Sequence, residues 1–183
     1  MTLYKDKYRI ESARLKDWDY ASAGCYFVTI CTQNREPYFG EVIEQAVHLS
    51  PVGEIACQFW SEIPQHSSSN IQVDAFVVMP NHIHGIIVIE DVNGRDVACN
   101  VSTGSTMSKI SPKAGSLGAI VRSYKSAVTR WARMNQQPFF DWQARFFDHI
   151  IRDEKGLNRI RDYIATNPVR WDSDRNNVTN LWM

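Results

Sequence analysis

Two apolar, β-branched runs, residues 71–79 and 83–90, are joined by a tight connection at Pro80-Asn81. That pattern predicts two strands of a hairpin. Just inside the second strand stand two imidazoles, His82 and His84, in the otherwise apolar stretch from Val77 to Ile89. Alternate strand residues share a face, so both histidines point one way and Ile83 the other. The geometry suits a two-point grip on one metal ion. Two histidines hydrogen-bonded at a strand edge are the plainer reading of a lone His-x-His. The choice turns on whether a further ligand and a nucleophile exist elsewhere in the chain.

Candidates for both stand some eighty residues later, in Asp162-Tyr163-Ile164-Ala165-Thr166-Asn167-Pro168. Tyr163 and Asn167 are four apart and so neighbours on a helix face. Leu157, Ile160 and Ile164 form the apolar stripe that would dock this helix, with Tyr163 at its margin. Pro168 ends it, because the residue before a proline avoids helical geometry. A boundary aromatic and an ordinary helix-terminal asparagine would look the same.

Four segments in this order, Met79-Pro80-Asn81-His82-Ile83-His84, Ile120-Val121-Arg122-Ser123-Tyr124-Lys125-Ser126, Phe147-Asp148-His149-Ile150-Ile151-Arg152 and Tyr163-Ile164-Ala165-Thr166-Asn167-Pro168, span residues 79–168. Together they resemble the HUH single-strand DNA transposases with one catalytic tyrosine, the IS200-like superfamily, and within it the REP-associated tyrosine transposase branch. Asn at 167, where the insertion-sequence branch more often has Gln, favours that branch. The resemblance implies that His82 and His84 are metal ligands, that Asn167 completes the metal site, and that Tyr163 is the nucleophile. It also implies a ferredoxin-like or RRM-like sheet with the histidines on a central strand.

The remaining chain agrees with an α+β protein, an antiparallel sheet covered mainly on one face by helices. Residues 26–32 read as the first strand, with 38–42 returning as its hairpin partner. A helix is expected from Ser50 to about Ile63, capped by Ser50 with Pro51 in its first turn. The longest helical pattern covers residues 116–134. Residues 140–151 read as the last strand, followed by the tyrosine helix over about 153–166. At 183 residues one domain is expected, with residues 1–22 as an arm, 91–115 as a mobile loop and 171–183 as a loosely held polar tail. The absence of a transmembrane-length run or signal-peptide core predicts a cytoplasmic location. Cys25, Cys31, Cys57 and Cys99 lack CxxC spacing and read as reduced, buried thiols.

Twenty basic and twenty acidic residues give no net charge, which argues against nucleic-acid binding by bulk positive charge. Any such binding must be local. Residues 109–133 carry Lys109, Lys113, Arg122, Lys125, Arg130 and Arg133 with no acidic side chain. A solvated helix face explains such a run more often than a DNA site does. Tyr124 and Trp131 within it are candidates for stacking on unpaired bases.

The chemistry implied by the resemblance is metal-dependent nicking and rejoining of structured, hairpin-forming single-stranded DNA through a 5′-phosphotyrosine. The ion would be Mg²⁺ or Mn²⁺, since imidazole suits the latter better. Lys125 is a candidate for neutralising the phosphate or protonating the leaving oxygen. His149, beside Phe146 and Phe147, reads more readily as a structural histidine than as a ligand. A histidine-triad hydrolase would need a third histidine where Ile86 stands, and a structural zinc site would need cysteines near His82. The serious rival is a DNA-hairpin-binding protein that keeps the fold without cutting. The sequence leaves monomer and homodimer both open.

Overall fold

The computed structural model describes residues 15, 18–67, 70–90, 113–174 and 176–177. Most of the predicted arm, nearly all of the predicted 91–115 loop, Lys109, Cys99 and the end of the tail lie outside the described residues. In chain order the elements are β1 (Gly24–Cys31), β2 (Gly40–Ile43), β3 (Ala46–Leu49), α1 (Pro51–Ser61), β4 (Ile71–Met79), β5 (His82–Ile89), α2 (Leu117–Met134), β6 (Phe147–Ile151) and α3 (Glu154–Thr166). Strands β4, β5, β1 and β6 lie side by side in that order, every neighbouring pair antiparallel. The fold is therefore α+β, as expected, with the histidine strand β5 inside the sheet.

Each helix starts at a side chain suited to its task. Ser50 Oγ accepts from Gly53 N at 3.1 Å, with Pro51 at the first helical position. Ser116 caps α2 through Ala119 N, and Asp153 caps α3 through Gly156 N at 2.5 Å. Such caps satisfy amide groups that helix geometry leaves without partners.

The sheet has two unlike faces. Tyr26, Val28, Ile30, Ile83 and Ile87 join Trp60 of α1 and Leu117, Ile120, Val121, Tyr124 and Val128 of α2 in the main core. Gly85 makes this approach possible, because a Cβ there would stand 2.3 Å from Trp60 Cζ2. On the opposite face, Phe27, Ile86 and Ile151 pack against Ile164 of α3, with Leu157, Ile160 and Tyr163 alongside. Two helices cover one face; α3 covers the face that carries the histidines.

Three expectations about secondary structure need correction. Residues 38–42 do not return against the first strand, because β5 and β6 hold its two edges. Instead β2 pairs with β3 as a separate ribbon, turning at Glu44 and Gln45 with φ of 48° and 65°. Two consecutive positive φ values make the turn whose twist suits a two-residue hairpin, though Glu and Gln are not its usual residues. The last strand begins at Phe147 rather than 140. Phe140 and Trp142 are buried in the main core, and Trp142 makes only an isolated bridge to Thr32. Lastly, the tail is not loose through residue 177. A 3-10 turn over Pro168–Ser173 carries the chain back, and Asp174, Asn176 and Asn177 are buried.

Among the described residues no helix is long and apolar enough to cross a membrane. Of the cysteines described, Cys31 is buried and Cys25 and Cys57 are half-buried.

Candidate metal and nucleophile site

The register of β5 sets the site. His84 lies between Thr29 of β1 and Val77 of β4, and His82 between Cys31 and Met79. Both imidazoles are buried, their ring centroids 4.5 Å apart. Each ring is held at Nδ1. Thr29 Oγ1 lies 2.8 Å from His84 Nδ1, and Asn81 Oδ1 lies 2.9 Å from His82 Nδ1. Asn81 Nδ2 donates to the carbonyls of Arg35 and Asn176, which leaves Oδ1 as the acceptor for an Nδ1–H of His82. That tautomer puts the His82 lone pair on Nε2. Such fixing of a ring through its second nitrogen is the usual support of a metal-binding histidine.

A carboxylate joins them from the tail. The ligand-type atoms of His82, His84 and Asp174 all lie within 4.8 Å of one another, and the three residues are buried, so the group could hold a metal ion. Asn167 stands beside it. Its Nδ2 donates to Asp174 Oδ2 at 3.3 Å, and its Oδ1 is buried without a hydrogen-bond partner. A buried carbonyl oxygen left so is costly unless something electropositive meets it. This donor set, two imidazoles with a carboxylate and an amide oxygen, fits a divalent ion of intermediate hardness.

Asp174 is held in turn. Its Oδ1 accepts from Asn176 N at 2.6 Å, and Asn176 Oδ1 accepts from Arg35. The Trp171 ring stacks beside His82 at 6.0 Å. The tail is thus tied to the turn after β1 and to the histidine strand at once. Sequence reasoning missed Asp174; the signal available was the run of short oxygen-bearing side chains, Asp172, Asp174, Asn176 and Asn177, directly after the tyrosine helix.

Tyr163 completes the arrangement. Its hydroxyl is 3.2 Å from His84 Nε2, and Phe27 meets both rings, stacked on His84 at 5.4 Å and edge-on to Tyr163 at 6.1 Å. Helix α3 is anchored to β4 by Arg161, whose guanidinium binds both oxygens of Asp74, the shortest contact being 2.5 Å. Asp74 stands where the β4 register shifts between Val73 and Phe76, and that irregularity turns its carboxylate to the helix. The Arg161 guanidinium holds the Asp74 carboxyl below its ordinary range.

This chain is 42% identical over 167 residues to an uncharacterised protein of Haemophilus influenzae, a match covering 90% of this chain and 91% of that one, and the two belong to one family. A second H. influenzae protein, provisionally named a REP-associated tyrosine transposase, is 26% identical over 157 residues, or 83% of this chain and 74% of the relative. The solved structure of a REP-associated tyrosine transposase bound to a REP hairpin matches 93% of this chain and 74% of its own, with a TM-score of 0.54 at 21% identity. In sequence and in fold the chain is thus similar to proteins named REP-associated tyrosine transposases. No protein-family model matches it.

The remaining predicted residues fall elsewhere. Tyr124 is not available for stacking on a base: it is 4% exposed, donates its hydroxyl proton to the Ala56 carbonyl at 2.8 Å, and packs edge-on to Trp60. Its place on the inner stripe of α2 decides this. Trp131 is half-buried against the same core. Lys125 belongs to the α2 layer, on the other face of the sheet from the histidines. Its Nζ donates to the Gln143 carbonyl at 2.5 Å and lies 5.9 Å from the Trp142 ring centre. The structure thus groups Lys125 with residues 142–143 rather than with Tyr163. Burial pushes its ammonium below the usual lysine range. Arg122, Arg130 and Arg133 are exposed along α2. His149 is exposed on the edge strand β6, opposite Phe27 in register, and is not one of the clustered ligands.

Proposed function

We propose that this chain is a metal-dependent single-strand endonuclease and strand-transfer transposase, acting on hairpin-forming DNA through Tyr163. The observation that carries the reading is the Tyr163 hydroxyl 3.2 Å from His84 Nε2, at the edge of a buried group of ligand-type side chains. The hairpin in the solved relative supports the choice of substrate.

In this reading His82, His84 and Asp174 hold a divalent cation, Mg²⁺ or Mn²⁺, with Asn167 Oδ1 as a further donor. Bound there, the ion supplies Lewis-acid stabilisation of charge on the scissile phosphate. Thr29 and Asn81 keep the imidazoles oriented. His84 Nε2 has one lone pair, so it serves either as acceptor for the Tyr163 hydroxyl or as a ligand. When it is a ligand, the hydroxyl must find another acceptor, and a phosphate oxygen supplies one.

Tyr163 then attacks phosphorus. A tyrosine O–P bond forms, the P–O3′ bond breaks, and the phenolic proton passes, directly or through solvent, to the departing 3′ oxygen. The phosphodiester count is unchanged, so a 3′ hydroxyl can reverse the step and rejoin strands without an external energy source. Phe27 and the Asp74–Arg161 clamp hold the ring near the phosphate, the proximity on which such a step depends.

The test is intact-mass spectrometry after incubation with a hairpin oligonucleotide and Mn²⁺. The wild-type chain is expected to gain the mass of a DNA fragment, and Tyr163→Phe to gain none while still binding the hairpin. Wild-type binding without any adduct would favour a hairpin-binding protein that does not cut.

A further inference from the structure

The turn that follows β1 is built against local preference. Asn34 and Arg35 both stand in the left-handed region, with φ of 52° and 58°. Asn tolerates that region through its short polar side chain, and Arg has no such compensation. A conformation of this kind persists only where surrounding contacts over-determine it, and such places collect at functional sites. The contacts are present. Arg35 N donates to Thr32 O at 3.2 Å, and Thr32 N donates to Asn81 O at 2.9 Å. Thr32 Oγ1 lies 2.7 Å from Glu36 O and 3.0 Å from Asn81 O, so the turn is fastened to the start of the histidine strand.

From there it holds the candidate metal site at two ends. The Arg35 carbonyl accepts from Asn81 Nδ2 at 3.0 Å, and Asn81 Oδ1 lies 2.9 Å from His82 Nδ1. The Arg35 guanidinium donates through Nη1 to Asn176 Oδ1. Asn176 is 3% exposed and its Nδ2 is buried without a hydrogen-bond partner, so among the described residues Arg35 is what fixes that amide. Asn176 N in turn donates to Asp174 Oδ1 at 2.6 Å. The backbone of one residue thus reaches the histidine, and its side chain reaches the carboxylate.

We infer that Arg35 is a positioning residue for this site: its carbonyl, aimed by the left-handed turn, orients His82 through Asn81, while its guanidinium seats Asp174 through Asn176. The inference rests on the reading of His82, His84 and Asp174 as metal ligands. It assigns the two ligand segments, strand and tail, a common support in a turn that precedes both in the chain.

Hydrogen exchange, metal titration and imidazole spectra of the full chain test it. In the metal-free protein Arg35→Ala should speed exchange of the Asn176 and Asn177 amides about tenfold, while the amides of β1 and β5 keep wild-type rates. Mn²⁺ affinity, read from the EPR signal of the free ion, should fall about tenfold, as when an outer partner of a metal ligand is removed. Asn176→Ala should reproduce both effects, and the double variant should add nothing, because the two residues act through one contact. Arg35→Lys keeps a donor and should recover most of the affinity. The ¹⁵N spectrum should show His82 protonated at Nδ1 in wild type and in Arg35→Ala, whose carbonyl is intact, and a mixture of tautomers in Asn81→Ala. Unchanged tail exchange in Arg35→Ala, additive losses in the double variant, exchange raised equally across β1 and β5, or a tautomer mixture already in wild type overturns the inference. A wild-type chain that binds no Mn²⁺ while the exchange and tautomer differences stand counts against the metal reading alone.

Discussion

The two faces of the sheet use the same strands for opposite ends. Among the described residues, a continuous core of twenty-one buried residues on the α1–α2 face locks Trp60 over Gly85 and Tyr124 against Trp60. On the α3 face the apolar cluster has four buried members among the described residues, and His82, His84, Asn167 and Asp174 are buried beside it. Apolar burial is therefore concentrated on one side and the buried ligand-type side chains on the other. A polar site can be kept buried because the opposite face supplies the apolar burial that it does not.

The comparison breaks most visibly at Trp60. Trp60→Ala should cost about 3–5 kcal/mol, because the residue is fully buried and the rigid sheet beneath it cannot close the cavity. Chemical denaturation would show it as a lower midpoint. Loss of less than 1 kcal/mol would mean that the two faces share the load.

On the other face, ligand removal should change metal response more than stability. At a Mn²⁺ concentration of about 100 Kd the wild-type chain should gain about 2.7 kcal/mol, seen as a raised melting temperature. Asp174→Asn and His82→Ala/His84→Ala should each lose most of this shift. An Asp174→Asn chain with the full wild-type shift would leave the histidines and Asn167 as the whole site.

Tyr124→Phe is a smaller change with a sharper meaning. It removes one buried hydrogen bond to Ala56 and should cost about 1 kcal/mol, leaving hairpin affinity and adduct formation at wild-type levels. A gel assay in which this variant fails to cut, while Tyr163→Phe cuts, would exchange the roles of the two tyrosines and of the two faces.

The smallest effect concerns the clamp between α3 and β4. Because the Asp74 carboxyl is held low by Arg161, its contribution is present above the ordinary aspartate range, near pH 4, and is lost as pH falls through the lowered value. The pair is partly exposed, so screening limits it to about 0.5–1 kcal/mol. Comparing wild type with Asp74→Asn should give stability curves that differ above pH 4 and converge in acid. Parallel curves throughout would remove the clamp from the account of how Tyr163 is held.

Much of this was written in local pattern. The hairpin of β4 and β5, the capped α1, the long α2 and the tyrosine helix all follow from period, caps and prolines, and those signals act over a few residues. The face shared by His82 and His84 is equally local, since strand alternation fixes it without reference to the rest of the chain. Tertiary structure alone decided the remainder. Period shows that Tyr124 lies on an apolar stripe, but only the packing of α2 on α1 buries its ring and commits its hydroxyl. The aromatic run from Phe140 resembled a strand because core-filling and strand-forming residues are the same types, and the occupied edge of β1 separated them. Asp174 looked like tail because nothing within a few residues marks a short acid as buried. Its place beside the histidines comes from contacts across the chain, from Asn167, Arg35 and Asn81 through Asn176, and such long-range closure leaves no periodic trace in the sequence.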